Sequence, residues 1–144
     1  MSFDLMVFRA EAAPKDIRQF EEWYHQQTEW SEDIDYNDHS HTSLILREWF
    51  LEMQQTFPSL NGPLAVDDDN VDYSNVTDYS IGADVIYAAF RWSEAEEAYQ
   101  KMYELAAKHG TGFYDPQGNA LFFPGNNQNL EPLIADKKPW WKIW

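Results

Sequence analysis

His39–Ser40–His41 sets two imidazoles two positions apart, with Asp35 and Asp38 close by. Imidazole and carboxylate are ligands for Zn or Fe, and on extended backbone both rings would point to one side. No third or fourth ligand follows at a metal-binding spacing. The competing reading is a pair of exposed histidines flanking a helix, and no metal site is assigned.

A second cluster, Asp67, Asp68, Asp69, Asn70 and Asp72, has the oxygen density that Ca²⁺ prefers. It lacks the glycine and the closing glutamate of a calcium loop, so a solvated charge run is the reading. Glu21 and Glu22 precede Trp23, and Glu29 and Glu32 flank Trp30. Carboxylates beside aromatics are the raw material of glycoside hydrolysis. The alternative is a helix with a wet acidic face and a dry aromatic one, and that reading is preferred. No Gly-x-Ser-x-Gly elbow, phosphate-cradling loop or dinucleotide fingerprint is present, and 6 glycines leave little material for one. No catalytic residue and no cofactor is therefore expected.

The charge balance narrows the partner class. The chain of 144 residues carries 25 Asp and Glu against 10 Lys and Arg, a net charge of −15. It also holds 7 Trp, 8 Tyr and 9 Phe, enough to build a core that a disordered acidic chain lacks. Such a charge repels phosphate backbones and anionic membrane surfaces, which argues against nucleic acid and membrane. It steers in a basic protein. The bland alternative is that the acids keep an aromatic-rich chain soluble. There is no cysteine, so disulfides are excluded. The opening has neither the basic region nor the apolar run of a signal peptide, and no window is long enough to span a membrane. A cytoplasmic setting follows as an expectation.

Elements must position whatever these residues do. Residues 2–8, SFDLMVF, read as a buried strand. Pro14 opens a helix over 14–28 with Ile17, Phe20, Trp23, Tyr24 and Gln27 on one face. A loop over 29–41 holds five acids and no Lys or Arg. A second helix begins near Thr42 or Ser43, carries Leu46, Trp49, Phe50, Met53 and Phe57 inward, and stops at Pro58. A second acidic loop spans 65–80. Gly82–Ala83–Asp84 then reads as a hairpin or bulge leading into a central strand over 85–92. Ser93 and Glu96 form a capping box for a helix ending at His109, with Gly110 as C-cap. Residues 110–124 read as strand, Pro116–Asn119 turn, strand. Phe20, Trp49, Phe50, Phe90, Tyr99 and Leu105 are expected in the core.

This order predicts an α+β chain: one ferredoxin-like βααββαβ sandwich with its helices on one face of an antiparallel sheet. The domain would span 1–124. Residues 125–144 would form a linker-like tail ending in Trp140, Trp141 and Trp144 with interleaved lysines.

The stretches SFDLMVF, WYHQQTEWSED, QTFPSLNGP, DYSIGADVIYAAFRWSEAEEAY and KPWWKIW together resemble a family of small acidic bacterial proteins of unassigned function. The family brings no catalytic residues to carry over. Some members resemble the immunity proteins encoded beside toxins of bacterial competition, which implies an inhibitory binding role. On this reading the chain is an acidic inhibitor of a basic toxin. Its contacts come from the loops 29–38 and 65–78: Trp30, Glu32, Asp33, Asp35 and Tyr36 from the first, Asp67, Asp68, Asp69, Asp72 and Tyr73 from the second. The second reading is a small enzyme or ligand-binding domain lined by Trp23, Tyr24 and His25 on the first helix. The sequence leaves the oligomeric state open.

Overall fold

The computed structural model describes residues 2–65 and 75–134. Within these, six strands form one antiparallel sheet: β1 (Phe3–Phe8), β2 (Asp78–Ile81), β3 (Val85–Phe90), β4 (Gly112–Asp115), β5 (Ala120–Pro124) and β6 (Leu130–Ile134). The order across the sheet is β2-β3-β1-β4-β5-β6. Three α-helices accompany them: α1 (Ile17–Gln27), α2 (Leu44–Thr56) and α3 (Ala95–His109). The mixed α+β class is thus as expected.

The near-continuous apolarity of β1 follows from its place in the middle. It pairs with β3 on one side, Phe3 opposite Phe90 and Phe8 opposite Val85, and with β4 on the other, Met6 opposite Tyr114. Because side chains alternate along a strand, a central strand covered on both faces is buried at nearly every position, and in β1 Asp4 alone is part-exposed. Phe3, Leu5 and Val7 face one core, with Ile86, Ala88 and Phe90 of β3. Met6 and Phe8 face the other, with Val85.

The two cores have different covers. The first lies under α2 and α3, which supply Leu46, Trp49, Phe50 and Met53 from one helix and Ala98, Met102, Leu105 and Ala106 from the other. The second lies under α1, where Phe20 meets Phe8 at 5.2 Å and Tyr114 at 5.0 Å between ring centroids. The expectation that all helices share one face is therefore corrected. Both faces of β1 and β3 are apolar, so one layer of helices would have left Met6, Phe8 and Val85 in water. The six residues expected in the core are all buried.

Local signals fared unevenly. Asp16, not Pro14, starts α1: its Oδ1 accepts the N–H groups of Arg18 and Gln19 at 3.1 and 3.2 Å. Ser43 caps α2 by position, and Gly110 ends α3 in the left-handed region at φ 77°. The Ser93 capping box does not form. Ser93 sits inside a 3-10 turn, Trp92–Glu94, and no side chain caps α3. The tighter turn satisfies the first orphan amides with backbone, as the Glu94 N–H donating to the Arg91 carbonyl at 2.9 Å illustrates.

The boundary at 124 also moves. Leu130–Ile134 adds a sixth strand beside β5, with Pro124 opposite Leu130. The Trp-rich end lies outside the described residues. Among the described residues, no helix is long and apolar enough to cross a membrane.

Candidate interaction site at the acidic edge

The loop that follows α1 is fastened to the sheet at three points. The Glu32 carboxylate accepts the Ala83 N–H at 3.3 Å from Oε2 and 3.4 Å from Oε1. The Tyr36 carbonyl accepts the Ile81 N–H at 2.7 Å, which occupies an outward group of the edge strand β2. Trp30 lays its ring edge-on to Tyr36 at 5.2 Å and to Tyr87 of β3 at 6.0 Å. The loop is also tied to itself. The Tyr36 hydroxyl accepts the Glu32 N–H at 2.5 Å and donates to the Glu32 carbonyl at 3.2 Å. To make these contacts Trp30 adopts φ 53°, which costs a non-glycine residue energy that the packing must offset.

The five candidate residues of this loop therefore divide. Trp30, Glu32 and Tyr36 are half-buried and engaged with the protein itself. Asp33 and Asp35 are exposed, and Asp35 also accepts the Asn37 N–H at 2.9 Å. The candidates Asp67, Asp68, Asp69, Asp72 and Tyr73 lie outside the described residues.

The flanks of the second acidic segment reach the same edge. Thr77 donates its N–H to the Pro58 carbonyl at 2.8 Å and accepts the Leu60 N–H at 2.9 Å. Asn75 Nδ2 donates to the Thr56 carbonyl at 2.7 Å. Gly62 packs directly against the Asn37 carbonyl, where a Cβ would collide with the oxygen. The stretches 29–38, 58–62 and 75–78 thus converge along β2.

Beside the first loop is a polar cleft of about 400 Å³ lined by Gln26, Gln27, Glu29, Ser31, Glu32 and Asp84. None of the six side chains is basic. The C-terminus of α1 ends here, and the negative end of its dipole adds to the potential, although its last carbonyls accept from Thr28, Glu29 and Trp30. Arg9 touches the rim through Asp84, with Nε to Oδ1 at 2.8 Å, and this hydrogen bond together with the charge of Asp84 raises the guanidinium pKa. The arrangement suits a cation or a basic side chain.

The histidine pair is divided between two other tasks. His39 stacks on Phe50 at 5.3 Å, and His41 Nε2 stands 3.5 Å from Asp38 Oδ2. Asp38 is held below the usual carboxylate range, chiefly by accepting the Ser40 N–H. Among the described residues no group of three or more His, Cys, Asp or Glu could hold a metal ion.

The first-helix lining behaves differently from its expectation as well. Trp23 packs on Phe8 at 5.8 Å and on Phe20 at 5.6 Å. Tyr24 packs on Tyr114 at 4.9 Å, and burial raises its hydroxyl pKa. Neither lines the cleft, and His25 is exposed. Nearby, Tyr87 donates to Asp4 Oδ2 at 2.7 Å. Burial above all, and then this bond, drives the Tyr87 pKa upward.

Sequence reasoning missed Asp84, Gln26 and Gln27. Asp84 was readable as a polar residue in the β2–β3 turn, but only the sheet brings that turn to the end of α1. No family model, no curated protein and no solved structure matches this chain.

Proposed function

We propose that this chain is a binding protein whose acidic edge takes a basic protein, in the manner of an immunity protein that blocks a toxin in the cytoplasm. The observation that carries the reading is the convergence of the first acidic loop and the flanks of the second acidic segment along β2. Ile81 holds Tyr36, Thr77 holds Pro58 and Leu60, and Gly62 meets Asn37. Carboxylates gathered on one edge focus a field that raises the encounter rate with a basic surface. Trp30 and Tyr36 stiffen the loop, so Asp33 and Asp35 are presented with little ordering left to lose on binding. The polar cleft beside them offers a receptacle for a Lys or Arg side chain.

The architecture is read as ferredoxin-like at its centre. The order β2-β3-β1-β4 and the two helical crossovers support this. The placement of α1 on the opposite face and the added β5–β6 hairpin are departures from it.

A small-molecule role has less support, because the cleft lacks the apolar walls that bury a ligand. The discriminating experiment is a pull-down with tagged protein at low and at raised salt, beside the double variant Asp33→Asn, Asp35→Asn. A basic protein retained by the parent at low salt and lost by the variant supports the reading. Recovery of no protein partner at low salt would sink it.

A further inference from the structure

We infer that Asn61–Gly62 is a self-modification site, at which the folded protein converts the Asn61 amide into a carboxylate through a cyclic imide. It is the chain's single Asn-Gly pair. The fold demands glycine at 62 for two independent reasons: φ is +90°, and any Cβ would strike the Asn37 carbonyl. That requirement leaves the amide nitrogen of residue 62 unshielded by a side chain, next to an asparagine.

The surroundings leave both reacting groups available. Asn61 and Gly62 are exposed. Among the described residues, neither the Asn61 side chain nor the Gly62 N–H has a hydrogen-bond partner. The backbone on either side is anchored. The Leu60 N–H donates to Thr77 at 2.9 Å, and the Gly62 carbonyl accepts the Ala65 N–H at 3.0 Å, closing a turn with Pro63 in its second position. The reacting pair is thus held between two fixed points while, among the described residues, the Asn61 side chain and the Gly62 N–H stay uncommitted.

The step balances without an added reagent other than water. The Gly62 amide nitrogen, losing its proton, attacks Cγ of Asn61. The new N–Cγ bond closes the imide as the Cγ–Nδ2 bond breaks, and the departing nitrogen leaves as ammonia. Water then adds to one imide carbonyl and opens the ring. Opening at Cγ restores the backbone and leaves aspartate. Opening at the backbone carbonyl leaves isoaspartate, with the chain rerouted through the side chain. Either product adds one negative charge beside Asn37.

The test incubates the native full-length protein in heavy-oxygen water at mildly alkaline pH, with a denatured sample in parallel. Protease digestion and mass spectrometry follow. The peptide carrying residue 61 should gain a carboxylate containing heavy oxygen, divided between aspartate and isoaspartate, at a rate comparable to that of the denatured chain. Asn61→Gln, which would need a larger ring, should lose the signal. A native protein that keeps its Asn61 amide while the denatured chain loses it would overturn the inference. So would a signal that persists in the Asn61→Gln variant.

Discussion

The Glu32 carboxylate caps the Ala83 N–H at 3.3 Å, joining positions 51 residues apart in the chain. An acid that reads as a surface charge is thereby a fastener between the first acidic loop and the β2–β3 turn. Replacing it orphans a half-buried amide. Glu32→Ala should cost about 1–2 kcal/mol, while Asp33→Ala, which the described contacts leave in solvent, should change stability by less than about 0.5 kcal/mol. Chemical denaturation of the two variants checks the contrast. Equal midpoints would place both acids in solvent.

Phe90 and Ser93 lie three residues apart and should respond very unequally to truncation. Phe90 is 3% exposed and meets Phe57 edge-on at 5.2 Å, so Phe90→Ala should cost roughly 3–5 kcal/mol. Ser93→Ala should stay within about 0.5 kcal/mol, since the Ser93 side chain caps nothing. A loss of about 1 kcal/mol at Ser93 would restore the capping box that its sequence suggests.

Thr111 is fully buried between α3 and β4, and among the described residues its hydroxyl has no partner. Valine has the same shape without the orphaned polar group. Thr111→Val should raise stability by about 1 kcal/mol. A lowered thermal midpoint would show that the hydroxyl is bonded.

Glu52 on α2 clasps α3, accepting from Lys108 Nζ at 2.9 Å and lying 2.9 Å from His109 Nε2. The hydrogen bond from Lys108, then that from His109, lowers its pKa from the ordinary 4.5. A carboxylate whose folded pKa is depressed contributes stability above its unfolded pKa, and that contribution is lost as pH falls through the folded value. The stability gap between the parent and Glu52→Gln should therefore be widest near neutral pH and close at pH below 4.5. Denaturation midpoints across this range provide the measurement. A gap that does not narrow on acidification would rule out the clasp.

Asp33 and Asp35 make a kinetic prediction for a basic partner. Converting both to Asn should slow association more than it speeds dissociation, because exposed rim charges act on encounter. The difference should shrink once salt brings the screening length to about 8 Å. Association rates equal to the parent's at low salt would remove this loop from the binding face.

What the sequence determined by itself was local in cause. Period and punctuation placed the stripe of Leu46, Trp49, Phe50 and Met53, the turn at Gly82–Asp84, the Gly110 cap and the hairpin around Gly118, because each rests on residues within a few positions of one another. Composition determined the acidic surface and the absence of disulfides. Tertiary structure alone decided which face α1 covers, since Phe20 would be equally apolar against either side of the sheet. Only the pairing of β1 with both β3 and β4, which creates a second apolar face at Met6 and Phe8, drew it there. The same holds for the candidate site. Asp33 and Glu32 are adjacent acids of similar chemistry, and nothing local separates them. The β2–β3 turn separates them by offering the Ala83 N–H to one carboxylate and leaving the other in water, because a backbone donor at the end of a sheet must find an acceptor wherever the fold brings one near.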